Sequence, residues 1–95
     1  MPQKLTPTSF LHKVIRHYKG NYYFVEEIST DSETLEPVLI YRPLYPSEHK
    51  LYNRPFKMFT EPIDPKAPNN LTSQSTRFEI LENLAQDYRK NSAKQ

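Results

Sequence analysis

The stretch Val14-Ile15-Arg16-His17-Tyr18-Lys19-Gly20-Asn21-Tyr22-Tyr23-Phe24-Val25-Glu26-Glu27-Ile28 decides the fold. Residues 14–18 and 22–28 are rich in β-branched and aromatic side chains, which suit a pleated, half-buried surface. Between them, Lys19-Gly20-Asn21 supplies the positive φ that a tight hairpin demands. Gly20 is the only glycine in the chain, so its backbone freedom is spent at this one turn. The reading is a β-hairpin closed by Gly20 and Asn21. It sets Tyr18 opposite Tyr23 and His17 opposite Phe24, one pair facing inward and the other outward.

Downstream, Ser29-Thr30-Asp31-Ser32-Glu33-Thr34 consists of turn formers, with Ser32 and Thr34 closing the turn through their hydroxyls. Val38-Leu39-Ile40-Tyr41-Arg42 is the strongest strand, with Pro37 and Pro43 at its ends, where a missing N–H does least harm. After the loop 46–50, Leu51-Tyr52-Asn53-Arg54 returns antiparallel to it and stops at Pro55. Phe56, Met58 and Phe59 suit a single 3₁₀-like turn plugging an open barrel end. Residues 60–63 are a last short strand, and residues 64–76 read as a Pro/Asn/Ser linker that buries no core. Thr76-Arg77-Phe78-Glu79 has the form of a capping box, and Phe78, Leu81, Ala85 and Tyr88 follow at helical spacing. The spacing predicts a helix over 77–90 packed on the barrel, with 91–95 as a disordered end. Upstream, 1–12 is a polar N-terminal tail that docks through Phe10 and Leu11, so the small β-barrel spans 13–63. The fold class is mainly β: four to five antiparallel strands with a C-terminal helix.

Ninety-five residues make one domain at most. Apolar residues are only 36% of the chain, but seven Tyr and five Phe let each core position carry a large share of the burial. The absence of Cys excludes disulfides, zinc knuckles, iron–sulfur clusters and thiol nucleophiles. The N-terminus lacks the apolar run of a signal peptide, and no window is long enough to span a bilayer, so the expectation is a cytoplasmic protein with no membrane contact. The net charge of +2 argues nothing about nucleic acid by itself. Its distribution says more. Residues 1–25 carry Lys4, Lys13, Arg16 and Lys19 without an acid, whereas 26–36 carry Glu26, Glu27, Asp31, Glu33 and Glu36. Placed as a hairpin and the turn after it, the two stretches are expected to neutralise each other locally.

The runs Arg16-His17-Tyr18-Lys19-Gly20-Asn21, Ser32-Glu33-Thr34, Tyr41, Leu44-Tyr45, Arg54-Pro55, Met58-Phe59 and Arg77-Phe78-Glu79 resemble the bacterial domain of unknown function 1653 family. Order and spacing agree from about 16 to 63, with the last triplet a looser match. The resemblance implies a small SH3-like barrel with no established activity. This chain departs from the family's pattern in having Asp31 where a His is common, Tyr52 where a Trp is usual, and a glycine-free loop at 46–50. The family's pattern also admits Arg77-Phe78-Glu79 as a strand end, against the helix that the capping box favours.

Two constellations carry chemistry. His17 beside the Asp31-Ser32-Glu33 turn is the basis of a small enzyme or metabolite sensor, although no third catalytic group or oxyanion donor follows from spacing. His17, Asp31 and Glu33 also lack the spacing of a metal motif, and one glycine builds no phosphate loop, so neither metal nor cofactor is expected. The richer feature interleaves aromatic and basic residues. Arg16, His17, Tyr18, Tyr41, Arg42, Tyr45, Tyr52 and Arg54 are the candidate binding residues, with Arg42 and Arg54 forming a local positive spot. Gly20, Asn21, Ser32, Thr34, Pro55, Met58 and Phe59 are the candidate structural residues. These features favour a non-catalytic binding module with an exposed Tyr/Arg face holding single-stranded nucleic acid or an acidic peptide. A homo-oligomer that uses the aromatic face as its interface is a third reading.

Overall fold

A computed structural model describes residues 5–81 of the chain. The elements are α1 (Pro7–Phe10), β1 (Val14–His17), β2 (Tyr22–Thr30), β3 (Pro37–Pro43), β4 (Tyr52–Pro55), α2 (Phe56–Phe59) and β5 (Phe78–Ile80). The five strands form one antiparallel sheet in the order β4-β3-β2-β1-β5. Its ends, β4 and β5, do not pair with each other, so the sheet is not closed.

The β1–β2 loop is one residue longer, and starts earlier in the chain, than the sequence suggested. The Gly20 N–H donates to the His17 carbonyl at 2.7 Å, and the His17 N–H donates to the Asn21 carbonyl at 2.9 Å. This is a three-residue loop, Tyr18-Lys19-Gly20, with Gly20 at φ 104°. The register is accordingly Val14↔Phe24, Ile15↔Tyr23 and Arg16↔Tyr22. It replaces the expected opposition of Tyr18 with Tyr23 and His17 with Phe24, because the loop is Tyr18-Lys19-Gly20 and not Gly20-Asn21, which moves the pairing by three residues.

A second local feature keeps the apolar residues on one face. Along β2, Tyr23 and Val25 face the core, and strict alternation would put Glu27 there next. The register instead shifts between Val25 and Glu27, leaving Glu26 as the extra residue, so that Ile28 lies opposite Leu39. A β-bulge resets the two-residue period in this way. Glu26 ion-pairs with Arg42 beside the bulge.

The main core lies on one face of the sheet. Phe10, Ile15, Val25, Leu39, Tyr41, Phe59 and Phe78 are buried together, with Tyr23, Ile28, Tyr52, Phe56 and Ile80 packed around them. α2 is one turn of α-helix rather than the expected 3₁₀ turn. It drives Phe59 under the sheet, where the ring stacks on Phe78 at 4.4 Å and meets Phe10 edge-on at 5.4 Å. Each such ring buries roughly 150–250 Å². At ~25 cal/mol per Å², a core this small is carried mainly by its aromatic members. On the opposite face Val14 and Phe24 form a minor cluster with Leu44 and Leu81.

Three expectations on the C-terminal side are corrected. Residues 60–63 form no strand and make only an isolated bridge, Pro62↔Thr76. The segment 64–76 is a packed loop: Asn70 and Gln74 are buried within it. Asn70 Nδ2 donates to the Asp64 and Gln74 carbonyls at 3.0 and 2.8 Å, which closes the loop on itself. Gln74 ties the loop to β1, accepting from Arg16 Nε at 2.9 Å and donating to the Arg16 carbonyl at 3.1 Å. The start of the expected helix is strand β5, registered as Ile15↔Ile80, Arg16↔Glu79 and His17↔Phe78. Phe78 belongs to a two-residue period set by pairing with β1, and the Thr76 hydroxyl donates to the Phe78 carbonyl at 2.8 Å instead of capping a helix. The rest of that helix, 82–90, lies outside the described residues, as do 1–4 and 91–95. No helix among the described residues is long and apolar enough to cross a membrane.

Candidate functional site

Strand alternation divides the candidate binding residues between two faces. His17, Tyr41, Tyr52 and Arg54 share the core face, because Leu39↔Arg54, Tyr41↔Tyr52 and His17↔Phe78 are direct partners. Arg16 and Arg42 lie on the other face. Arg16 donates to Gln74 and pairs with Glu79 at 2.8 Å. Arg42 lies 5.5 Å over the Phe24 ring. The positive spot expected from Arg42 with Arg54 therefore does not exist, since the two point to opposite sides of β3 and β4.

On the core face the tyrosines pack against one another. Tyr41 is 3% exposed and sits 5.3 Å from the Tyr23 ring and 5.7 Å from the Tyr52 ring. The hydroxyls of Tyr23 and Tyr45 are 3.1 Å apart. That bond, with burial and the Tyr52 hydroxyl, holds the Tyr45 phenol above its ordinary range. Tyr18, Tyr23, Tyr45 and Tyr52 are half-buried, and among the described tyrosines only Tyr22 is exposed, on the other face. The broad exposed Tyr/Arg face expected from the sequence is thus a narrow, half-buried cluster.

Arg54 and His17 meet at Phe78. The Arg54 guanidinium carbon lies 5.8 Å over the Phe78 ring, and Arg54 Nε donates to the Tyr41 hydroxyl at 3.2 Å. The His17 ring is edge-on to Phe78 at 5.0 Å and 4.5 Å from Tyr18. Tyr18 in turn has both the Lys19 ammonium and the Arg77 guanidinium 5.9 Å from its centroid. Burial, followed by the charges of Arg54, Arg77 and Lys19, pushes His17 down from 6.5 to about 4. Its ring is neutral at physiological pH. The Lys19 backbone N–H donates to Nδ1 at 3.1 Å, so the ring proton sits on Nε2.

Charge accounting singles out one residue. Arg16 pairs with Glu79, Arg42 with Glu26 and Arg77 with Glu61. Arg54, also half-buried, has no carboxylate partner among the described residues. Tyr23, Phe78, Lys19 and Arg77 belong to this site and are not among the candidate binding residues read from the sequence. Tyr23 was legible from its alternation with Val25, whereas Phe78 was hidden by the helical reading.

The second constellation is dispersed by topology. His17 stands at the hairpin end of β2, and the Asp31 turn follows its far end, eight residue steps or about 26 Å of strand away. Catalytic partners need hydrogen-bond reach, so His17 and the Asp31 turn do not form one catalytic centre. Asp31 instead has a structural part. Its Oδ1 accepts from the Glu33 and Thr34 amides at 2.8 and 3.0 Å, and these bonds lower its pKa from 3.8. Asp31 closes the turn in the role expected of Ser32, while the Thr34 hydroxyl accepts from the Glu36 amide. No group of three His, Asp or Glu residues among those described is placed to hold a metal ion.

Fold and site together define a small, mainly β domain with an open five-stranded antiparallel sheet, short helices and an aromatic core. The family model described as "Protein of unknown function (DUF1653)" matches residues 13–80, and the chain belongs to that family. A solved structure of a DUF1653 protein from Bordetella bronchiseptica is similar to it, with 26% identity and a TM-score of 0.64. The match covers 81% of this chain and 94% of that one. No curated protein matches the chain.

Proposed function

We propose that this domain is a non-catalytic binding module that holds an acidic, extended peptide segment at the aromatic and basic cluster around Arg54. The single observation that supports this is Arg54 itself, a half-buried guanidinium without the carboxylate that every other described arginine has. Partial burial of an unpaired charge costs free energy that an incoming carboxylate recovers. A peptide fits better than single-stranded nucleic acid. Bases stack on open ring faces, and here Tyr23, Tyr41 and Tyr52 turn their rings to one another.

Titration of ¹⁵N-labelled protein with acidic peptide, basic peptide, RNA and single-stranded DNA pools tests the reading. The acidic pool is expected to shift amides around Tyr52 and Arg54, and Arg54→Gln is expected to abolish those shifts. Failure of every acidic peptide to shift them overturns the proposal. So does preferential binding of RNA or DNA with a steep salt dependence.

A further inference from the structure

The hydrogen-bond donors beside Phe78 carry an inference furthest. Arg54 uses Nε on the Tyr41 hydroxyl, and its terminal nitrogens have no hydrogen-bond acceptor among the described residues. The Lys19 amide occupies His17 Nδ1, and no described residue accepts from Nε2. Both side chains lie against the same ring, His17 at 5.0 Å and Arg54 at 5.8 Å from the Phe78 centroid. Two sets of unused donors, one charged and one neutral, thus flank one aromatic wall.

We infer that His17 Nε2–H and the terminal N–H groups of Arg54 form a socket for a single carboxylate, with His17 as an uncharged donor that positions the anion Arg54 attracts. The inference rests on the peptide-binding reading and adds to it the group that is gripped. A guanidinium takes a carboxylate through two parallel N–H bonds, and a neutral imidazole N–H adds a directional third. The charge available matches a monoanion. Arg77 is compensated by Glu61, and Lys19 is exposed at the rim, which leaves Arg54 as the one cation of the site's half-buried part without a carboxylate partner among the described residues. Burial, followed by the charges of its cationic neighbours, lowers the His17 pKa and keeps the ring in the state that the socket uses.

The carboxylate has two sources in a peptide, an Asp or Glu side chain and the free C-terminus. Three probes separate them: acetyl-AAEAA-amide, acetyl-AAAAA with a free C-terminus, and acetyl-AAAAA-amide. Sodium acetate and inorganic phosphate serve as minimal anions. Ring ¹⁵N spectra of His17 and side-chain N–H signals of Arg54 report occupancy. The expected result is a shift of the Nε2 and Arg54 signals with acetate and with at least one carboxylate peptide, and none with the fully capped control. His17→Phe, which keeps a ring against Phe78 but has no donor, is expected to weaken the preferred peptide about tenfold or more. His17→Gln, which returns an N–H near the Nε2 position, is expected to restore most of that loss, an outcome that a purely structural His17 does not produce.

Tighter binding of phosphate than of acetate overturns the carboxylate assignment. Acidic peptides that shift backbone amides of the face while the His17 and Arg54 side-chain signals stay still overturn the socket but leave the binding module standing. Silence with every peptide overturns both.

Discussion

At the scale of the residue, Gly20 and His17 show how one side chain, or the lack of one, sets a local structure. A Cβ built on Gly20 meets nothing within 4 Å, so its requirement is conformational and not steric crowding by neighbours. At φ 104° an L-residue is strained. Gly20→Ala is expected to cost about 1–2 kcal/mol with the same fold, measured as a lowered urea midpoint at unchanged slope. His17 predicts a pH dependence of stability. Its folded pKa, about 4, lies below the ordinary 6.5, so between these values the unfolded chain binds a proton that the folded one refuses. Stability is therefore expected to fall as pH drops from about 6.5 to 4 and to be insensitive to His17 above that window. Asp31, whose pKa is lowered from 3.8, adds its loss only as pH falls further. Thermal melts of wild type and His17→Phe across this range check the assignment. A slope of equal size in the variant contradicts it.

At the scale of the element, the sequence made the first four strands legible through β-branched and aromatic runs between turn formers. What it hid were features decided by partners distant in the chain. The hairpin register depends on whether Gly20 is the last residue of a three-residue loop or the first of a two-residue one, and composition is the same in both. The bulge at Glu26 had a visible trace, the break in alternation at Glu26-Glu27. Phe78, Glu79 and Ile80 satisfy a helix pattern locally, yet β1 has a free edge that takes them as a strand; tertiary pairing outweighs a capping box. The loop 64–76 looked like a linker because its buried residues, Asn70 and Gln74, are polar. Gln74 is 2% exposed and serves the Arg16 and Thr76 carbonyls as well as Arg16 Nε. Gln74→Leu, similar in size but without these bonds, is expected to destabilise by about 1–3 kcal/mol. Chemical denaturation reads this, and a neutral effect contradicts the role assigned to the network.

At the scale of the whole molecule, the charge asymmetry of the sequence becomes a difference between the two ends of β2. Lys19, Arg54 and Arg77 gather around His17 near the hairpin turn, while Asp31, Glu33 and Glu36 occupy the turn at the far end. Among the described residues the ion pairs reach outside the two stretches: Arg16 pairs with Glu79, Glu26 with Arg42, and Glu36 with Lys57 at 3.5 Å. The candidate site was half legible. His17, Tyr41, Tyr45, Tyr52 and Arg54 were among the candidate binding residues; strand parity keeps His17, Tyr41, Tyr52 and Arg54 on one face while removing Arg16 and Arg42, and the Tyr23 hydroxyl holds Tyr45 beside them. Burial could not be read the same way, because a small chain needs its tyrosines in the core, and the sequence does not say which ones the core takes. The most direct test of the central claim is the affinity of an acidic peptide for wild type and Arg54→Gln, with Arg42→Gln as the control on the opposite face. Loss of binding at least tenfold in Arg54→Gln alone is the expected result, and equal effects of the two substitutions, or none, contradict it.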